Sequence, residues 1–328
     1  MTSPRSSTPA SGPSQDLAPS TAPASATPTA ARPAAGPPLR DVSQITPRRK
    51  TRKPSAIAAR VALYAALIVA AAFLLVPFFW MVSSSLKNNL DVFSVPVRWI
   101  PEAFQWHNYA DIWVQADMAT WLKNTLILSV VVTCLQVLTG SFAAYGFSRI
   151  RFPGRDVLFL CYIATIAVPW QAYMIPQFLI MSRVGLVNTL WAMIVLQAFG
   201  AFGVFLMKQF FETVPEELSE SARVDGLSEY GIYWRIMLPL SVPAIASLAL
   251  LTFVNTWNDY LGPLIYLRPR NLFTIQLGLK TFQADPQGSS LDALVMTGSV
   301  LSVLPIAIIF LLGQRYFVEG IATTGLKG

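Results

Sequence analysis

Apolar residues in this chain fall in six long blocks, separated by polar connections. They run from about Val61 to Ser83, Asn124 to Phe147, Val157 to about Ile175, Asn188 to Met207, Ser241 to about Tyr266, and Val295 to about Leu312. Each has roughly the 17–25 residues a helix needs to cross a bilayer. Lipid offers no partner to an unpaired backbone group, so each block predicts a helix. The expectation is an all-α integral membrane protein with six transmembrane helices. Gly140, Ala143, Ala144 and Gly146, and then Gly200 and Gly203, mark places where such helices pack closely. Pro169 and Pro263 are candidate bends, and Pro176 falls just past the third block.

Between the fourth and fifth blocks lies the most polar stretch of the second half, Glu220 to Pro239. Thr213-Val-Pro-Glu216 reads as a capping box, and Glu216 and Glu217 suit the positive end of a helix dipole. Asp225-Gly226 predicts a left-handed helix end, where glycine carries no Cβ penalty. Ser228 can cap a second short helix with a stripe of Tyr230, Tyr233, Trp234 and Met237. Pro239 is expected to stop it, with Ser241 and Pro243 opening the next block. The product is a rigid amphipathic elbow. Its stripe reads equally well as the face that fills a partner's groove or as residues of a membrane interface.

Composition agrees with the pattern. The chain is 54% hydrophobic and 12% charged over 328 residues, whereas soluble domains carry about 25% charged residues. Residues 1–55 are rich in Pro, Ala and Ser and have no aromatic residue, which predicts a disordered tail without a secretory h-region. The tail ends in Arg48, Arg49, Lys50, Arg52 and Lys53, a cytoplasmic marker and a candidate contact for anionic lipid.

With the N-terminus inside, the inner segments hold 17 Lys and Arg: nine in 1–60, three in 148–156, three in 208–240 and two after 312. The outer loops hold 7. This asymmetry predicts both termini, and the Glu220–Pro239 elbow, on the cytoplasmic side. The net charge of +7 follows from these membrane flanks and does not indicate a nucleic-acid partner. In the outer loop 84–120, Trp99, Trp106 and Trp113 read either as an aromatic belt or as a docking surface for an extracellular partner.

Chemistry is scarce. His107, the single histidine, lies in a loop, which leaves no Ser-His-Asp or Cys-His arrangement. Cys134 and Cys161 lack metal spacing and read as small packing residues. Asp259 is the one acid inside a block, near its outer end. Gly278-Leu-Lys280-Thr281 lacks the first glycine of a phosphate loop. The chain has no energy source or catalytic centre of its own, so the elbow points to an engine on another chain.

Glu220-Ser-Ala-Arg-Val-Asp-Gly226, followed by Arg235-Ile-Met-Leu-Pro239, closely resembles the cytoplasmic loop of binding-protein-dependent ABC importer permeases. Ser221 replaces the family's usual alanine. Pro169-Trp-Gln-Ala-Tyr-Met-Ile-Pro176, Gly185-Leu-Val-Asn-Thr189, Trp257-Asn-Asp-Tyr-Leu-Gly-Pro-Leu264 and Thr323-Thr-Gly-Leu-Lys-Gly328 are similar to the carbohydrate branch. Within it they resemble the shorter, second permease of the maltose transporter. The resemblance covers about 57–328, excludes the disordered tail read from composition at 1–55, and implies a type I importer permease fold: a six-helix domain at 56–328, an importer core at about 120–317 and a coupling loop at 213–240.

It implies as partners ABC ATPase subunits, which alone bind ATP, a second permease subunit, an extracytoplasmic solute-binding protein and membrane lipid, with the chain itself no enzyme and without cofactor or metal. The coupling residues it implies are Glu220, Ala222, Asp225, Gly226, Tyr230, Tyr233, Trp234, Arg235, Leu238 and Pro239. Gly226 permits the turn, and Glu220, Asp225 and Arg235 fix the loop and its dock. Gly325, Leu326, Lys327 and Gly328 would reach between the ATPases. Trp257-Asn258-Asp259 favours a sugar or oligosaccharide over a polyamine, phosphate or sulfonate. No substrate-binding residue is assigned. A membrane enzyme would need convergent acids or histidines, and a non-transporting scaffold would leave uptake intact.

Overall fold

The computed structural model describes residues 54–283 and 291–325. The tail, but for its last two residues, and Leu326, Lys327 and Gly328 lie outside them. Two units are distinguished, Met1–Ala62 and Leu63–Gly328. The described part of the first is the opening turns of helix α1.

The described elements are helical, with no strand among them. They are α1 (Pro54–Ser85), α2 (Asn108–Gln115), α3 (Met118–Arg149), α4 (Arg155–Ala164), α5 (Met174–Val184), α6 (Leu190–Gln197), α7 (Ala201–Thr213), α8 (Glu216–Val224), α9 (Glu229–Ile232), α10 (Leu238–Leu240), α11 (Val242–Trp257), α12 (Leu261–Tyr266), α13 (Ile275–Gln283) and α14 (Asp292–Gly325). Four segments are long and apolar enough to cross a membrane: Ala59–Ser85, Met118–Arg149, Leu190–Thr213 and Asp292–Gln314. A fifth arises if Glu229–Leu240 and Val242–Trp257, bent by 78° at Ser241, count as one span. Not one residue in the most apolar window of Ala59–Ser85 is buried. Such a helix is stable only in a solvent that is itself apolar.

The third block is not one helix. Between α4 and α5 the chain makes two single 3₁₀ turns, Thr165–Ala167 and Trp170–Ala172. Val168 and Pro169 between them are extended. Pro169 lacks an N–H and pushes Val168 out of the helical region, so the helix ends instead of bending. Pro176 lies inside the first turn of α5, where a missing donor costs nothing.

The fourth block breaks briefly at Ala198-Phe199-Gly200. Side chains of α3 take up the freed carbonyls: Gln136 Nε2 donates to Gln197 O and Thr139 Oγ1 to Ala198 O, both over 2.7 Å. Helix contacts use the small residues expected. A Cβ on Gly140 would come within 3.4 Å of the Gly203 backbone, so α3 and α7 meet almost backbone to backbone. Cys134 and Cys161 are exposed, not interior packing residues.

In the first loop Lys87 is buried, its ammonium 3.9 Å from the Trp80 ring centre and donating to Arg98 O over 2.6 Å. Burial lowers its pKa. Trp99 packs edge-on against Trp80 and, like Trp106 and Trp113, stays exposed. His107 is exposed beside Asp111.

Candidate functional site

The elbow begins where α7 ends. The Thr213 hydroxyl donates back to Phe210 O over 2.7 Å. It closes the last turn of α7, and α8 starts at Glu216 with no side-chain cap. The capping box is therefore not formed, because Thr213 already belongs to the preceding helix. Glu216 and Glu217 do occupy the first turn of α8.

The turn at the far end of α8 is as the sequence predicts. Gly226 has φ +83°, and Leu227 N donates to Ala222 O and Gly226 N to Arg223 O, each over 3.0 Å. This pair of bonds is the glycine-ended helix stop that satisfies otherwise orphaned carbonyls. Ser228 then caps α9 by accepting from Gly231 N over 3.3 Å.

Pro239 does not stop the second helix. The chain passes through a π turn at Tyr233–Met237, with Pro239 in the first turn of α10, and bends at Ser241. A widened turn accommodates a residue without an N–H. Ser241 is fully buried, and its hydroxyl donates to Met237 O over 2.6 Å.

The stripe divides. Tyr233 and Met237 are buried at 1% and 0% exposure, together with Ile232, against Tyr145, Met207 and Phe211 of α3 and α7. They cannot also fill a partner's groove, which corrects the expectation for Tyr233. Tyr230 and Trp234 remain exposed, at 68% and 53%. Ala222 is buried and Leu238 half-buried, whereas Glu220, Asp225, Arg235 and Pro239 are exposed. Glu220, Asp225 and Arg235 form no ion pair among the described residues, so they do not fix the loop from within. Gly325 is the last residue of α14.

What fixes the loop is a set of polar contacts, in which Ser141, Tyr145, Arg149 and Arg223 carry no signal of their own in the sequence motif. Arg223 Nε donates to Glu229 Oε1 over 2.7 Å across the Gly226 turn. Tyr145 Oη donates to Glu229 Oε2 over 2.6 Å. Arg223 beside it, helped by the Tyr145 bond, holds the Glu229 carboxyl below the usual carboxylate range. In return, Glu229 raises the Arg223 pKa. Ser141 and Tyr233 share a hydroxyl pair at 2.8 Å. Arg149 Nη2 donates to Phe211 O at 2.5 Å and Val214 O at 2.6 Å, capping α7. The opposite charges of Arg223 and Glu229 flanking a Gly turn were the available signal.

Arg149, Arg151, Arg223, Glu216, Glu220 and Glu229, with Ile150, line an open pocket of about 400 Å³. Three arginines face three glutamates there, so it presents no net charge to attract an anion. Nothing in the elbow is arranged for bond-making chemistry. It is a braced surface element.

At the opposite end of α11, Trp257-Asn258-Asp259 forms the connection to α12. Trp257 is buried and donates from Nε1 to Ser302 O over 3.1 Å. Asp259 accepts from Gly262 N over 3.0 Å and from Gln197 Nε2 over 2.9 Å. Asp259 thus holds the start of α12 and Trp257 ties α11 to α14, while Asn258 is exposed, its amide donating to Val254 O over 2.9 Å.

Comparison with known proteins places these features in a family. The family model for the binding-protein-dependent transport system inner membrane component matches residues 136–323. The arabinooligosaccharides transport system permease protein AraQ of Halalkalibacterium halodurans is 37% identical over 229 residues, 70% of this chain and 81% of that protein. The sn-glycerol-3-phosphate transport system permease protein UgpE of Pectobacterium atrosepticum is 30% identical, over 78% of this chain and 93% of that protein. A solved bacterial ABC transporter involved in the import of the acidic polysaccharide alginate contains a chain that superposes with TM-score 0.72 and 26% identity, covering 81% of this chain and 99% of that one. The architecture is the all-helical permease fold of type I importers. The chain belongs to the inner membrane components of binding-protein-dependent transport systems, the permeases of ABC importers, and is a multi-pass membrane protein.

Proposed function

We propose that this chain is one of two permease subunits of an ATP-driven importer for a sugar or oligosaccharide. It would cross the membrane six times with both termini in the cytoplasm, counting the broken α4–α5 segment as one passage. The basic residues at 149, 151 and 155 and in the loop 208–240 support that orientation.

The observation that carries the reading is the braced elbow. Ile232, Tyr233 and Met237 anchor it in the core, while Glu220, Asp225, Tyr230, Trp234 and Arg235 face outward. An element held rigidly on one side and exposed on the other can be displaced as a unit. Seated in a cleft of an ATPase subunit, it would carry ATP-driven closure into α3 and α11 and switch the pathway between its two openings. ATP would be bound by that partner. Solute would arrive on an extracytoplasmic binding protein, as the family description implies. The terminal Gly325, Leu326, Lys327 and Gly328 would extend towards the ATPase pair.

The arabinooligosaccharide relative supports the sugar class. A second reading, a non-sugar solute, rests on the glycerol-3-phosphate relative. Uptake in a strain deleted for this chain separates them. Loss of uptake of labelled arabinotriose or another oligosaccharide, restored by the intact gene, supports the first. Loss confined to sn-glycerol 3-phosphate supports the second. Unchanged uptake of every solute tested removes the transport reading.

A further inference from the structure

Apart from Ser247, whose hydroxyl donates back to Pro243 O, helix α11 is apolar except along one line. Thr252, Asn255 and Thr256, with Asp259 just past its end, are spaced i, i+3, i+4, i+7 and so follow one face. Four polar groups on one face of a membrane helix cost free energy unless something matches them.

Most of this line is matched inside the chain. Thr252 Oγ1 donates to Gln136 Oε1 over 3.2 Å, and Thr256 Oγ1 to Gln197 Oε1 over 3.1 Å. Gln197 Nε2 reaches Asp259 Oδ2 over 2.9 Å. Each glutamine amide thereby both accepts and donates, which fixes its orientation. The ladder ties α3 and α6 to α11 and leaves the remaining amides at its edge.

Asn255 is that edge. It is exposed, and its amide bonds to no other described residue. One turn further on, Asn258 is exposed as well, donating to Val254 O over 2.9 Å and accepting from Gln276 Nε2 over 3.3 Å. Outward amides, held by a satisfied polar layer behind them, form a surface suited to hydroxyl-rich ligands.

We propose that Asn255 and Asn258 are this subunit's wall of the solute pathway, where their amides hydrogen-bond saccharide hydroxyls. This rests on the importer reading, because the opposite wall must come from the second permease. Against hydrocarbon, or packed dry against that permease, the Asn255 amide would be unmatched. Facing a hydrated pathway, it pairs with water and then with sugar.

The test uses the importer assembled from this chain with its permease and ATPase partners in lipid vesicles. Single-cysteine variants Asn255→Cys and Asn258→Cys, with Cys134 and Cys161 replaced by alanine, are treated with membrane-impermeant sulfonatoethyl methanethiosulfonate. Both should react far faster than Phe73→Cys on the lipid-exposed α1. Reaction no faster than that control overturns the proposal whatever the solute is.

In parallel, Asn255→Leu should lower the initial uptake of labelled arabinotriose, or of whichever oligosaccharide the wild-type complex carries, about tenfold, the scale of one lost hydrogen bond. Asn255→Gln should recover most of it, and co-purification of the subunits should be intact in both. Wild-type uptake of an oligosaccharide with equal uptake by Asn255→Leu sinks the proposal alone. A wild-type complex that carries no saccharide sinks the sugar reading, and the labelling still decides whether the face is wet.

Discussion

Tyr145 and Glu229, 84 residues apart, meet through a 2.6 Å hydrogen bond that ties the Arg149 end of α3 to the elbow. Arg223 holds the other carboxylate oxygen, so one side chain closes the Gly226 turn and docks it. Tyr145→Phe keeps the ring in its aromatic cluster and removes only the donor. It should weaken the docked loop by about 1 kcal/mol, read as faster amide exchange at Leu227–Ile232. Unchanged exchange would show that packing alone holds the loop. In the assembled importer the same variant should hydrolyse ATP with less solute moved per turnover.

Acid should release the same contact. The Glu229 carboxyl is held below its ordinary pKa by Arg223 and Tyr145. Its stabilising contribution is therefore complete above the unfolded value of about 4.3 and lost as pH falls through the lower folded value. Exchange at Leu227–Ile232 should rise as pH drops below about 4, after correction for intrinsic rates. Glu229→Gln should abolish that pH step. A step of equal size in the variant would assign it to another group.

Gly226→Val isolates backbone strain. With φ at +83° and no atom within 4 Å of a Cβ placed there, the added side chain meets open space. The cost is conformational, about 1–2 kcal/mol. The variant should insert and fold but lose ATPase binding or uptake. Gly226→Asn, which tolerates the left-handed region, should retain both. Wild-type uptake by Gly226→Val would dismiss the turn's role in coupling.

Two further glycines should respond in opposite directions. A Cβ on Gly278 would lie 2.2 Å from the Trp121 ring, which is buried between α3 and α13. Gly278→Ala should cost about 1–3 kcal/mol through overpacking. Gly146, inside α3, has nothing within 4 Å. Gly146→Ala should be neutral or stabilise by about 0.5–1 kcal/mol from helix propensity. Thermal unfolding in detergent ranks the pair, and a Gly278→Ala protein as stable as wild type would refute the close packing there.

Features decided by a few consecutive residues were legible in the chain itself. The left-handed Gly226 and the Ser228 cap formed as predicted because turn and cap energies depend on neighbours within four residues. Apolar block length likewise announced the long helices α1, α3 and α14, since lipid demands them wherever apolar residues run that far.

Three expectations failed although the residues responsible are neighbours in the chain, because two local preferences competed and the stronger prevailed. Thr213 was taken by Phe210 O before it could cap α8. Pro239 was absorbed by a π turn, and the bend fell at Ser241. The third block ended at Pro169 because its backbone could not continue, although its composition reads as one helix.

Which polar and aromatic residues face inward was decided by the tertiary structure alone. Helical spacing puts Tyr230, Tyr233, Trp234 and Met237 on one stripe, yet α3 and α7 bury two of them and leave the others exposed. Spacing also joins Thr252, Asn255, Thr256 and Asp259, but only the packing of α6 and α3 against α11 shows three of them satisfied and Asn255 free. Periodicity records where a side chain points around its own axis. The burial and partners it finds depend on what the rest of the chain brings to that side.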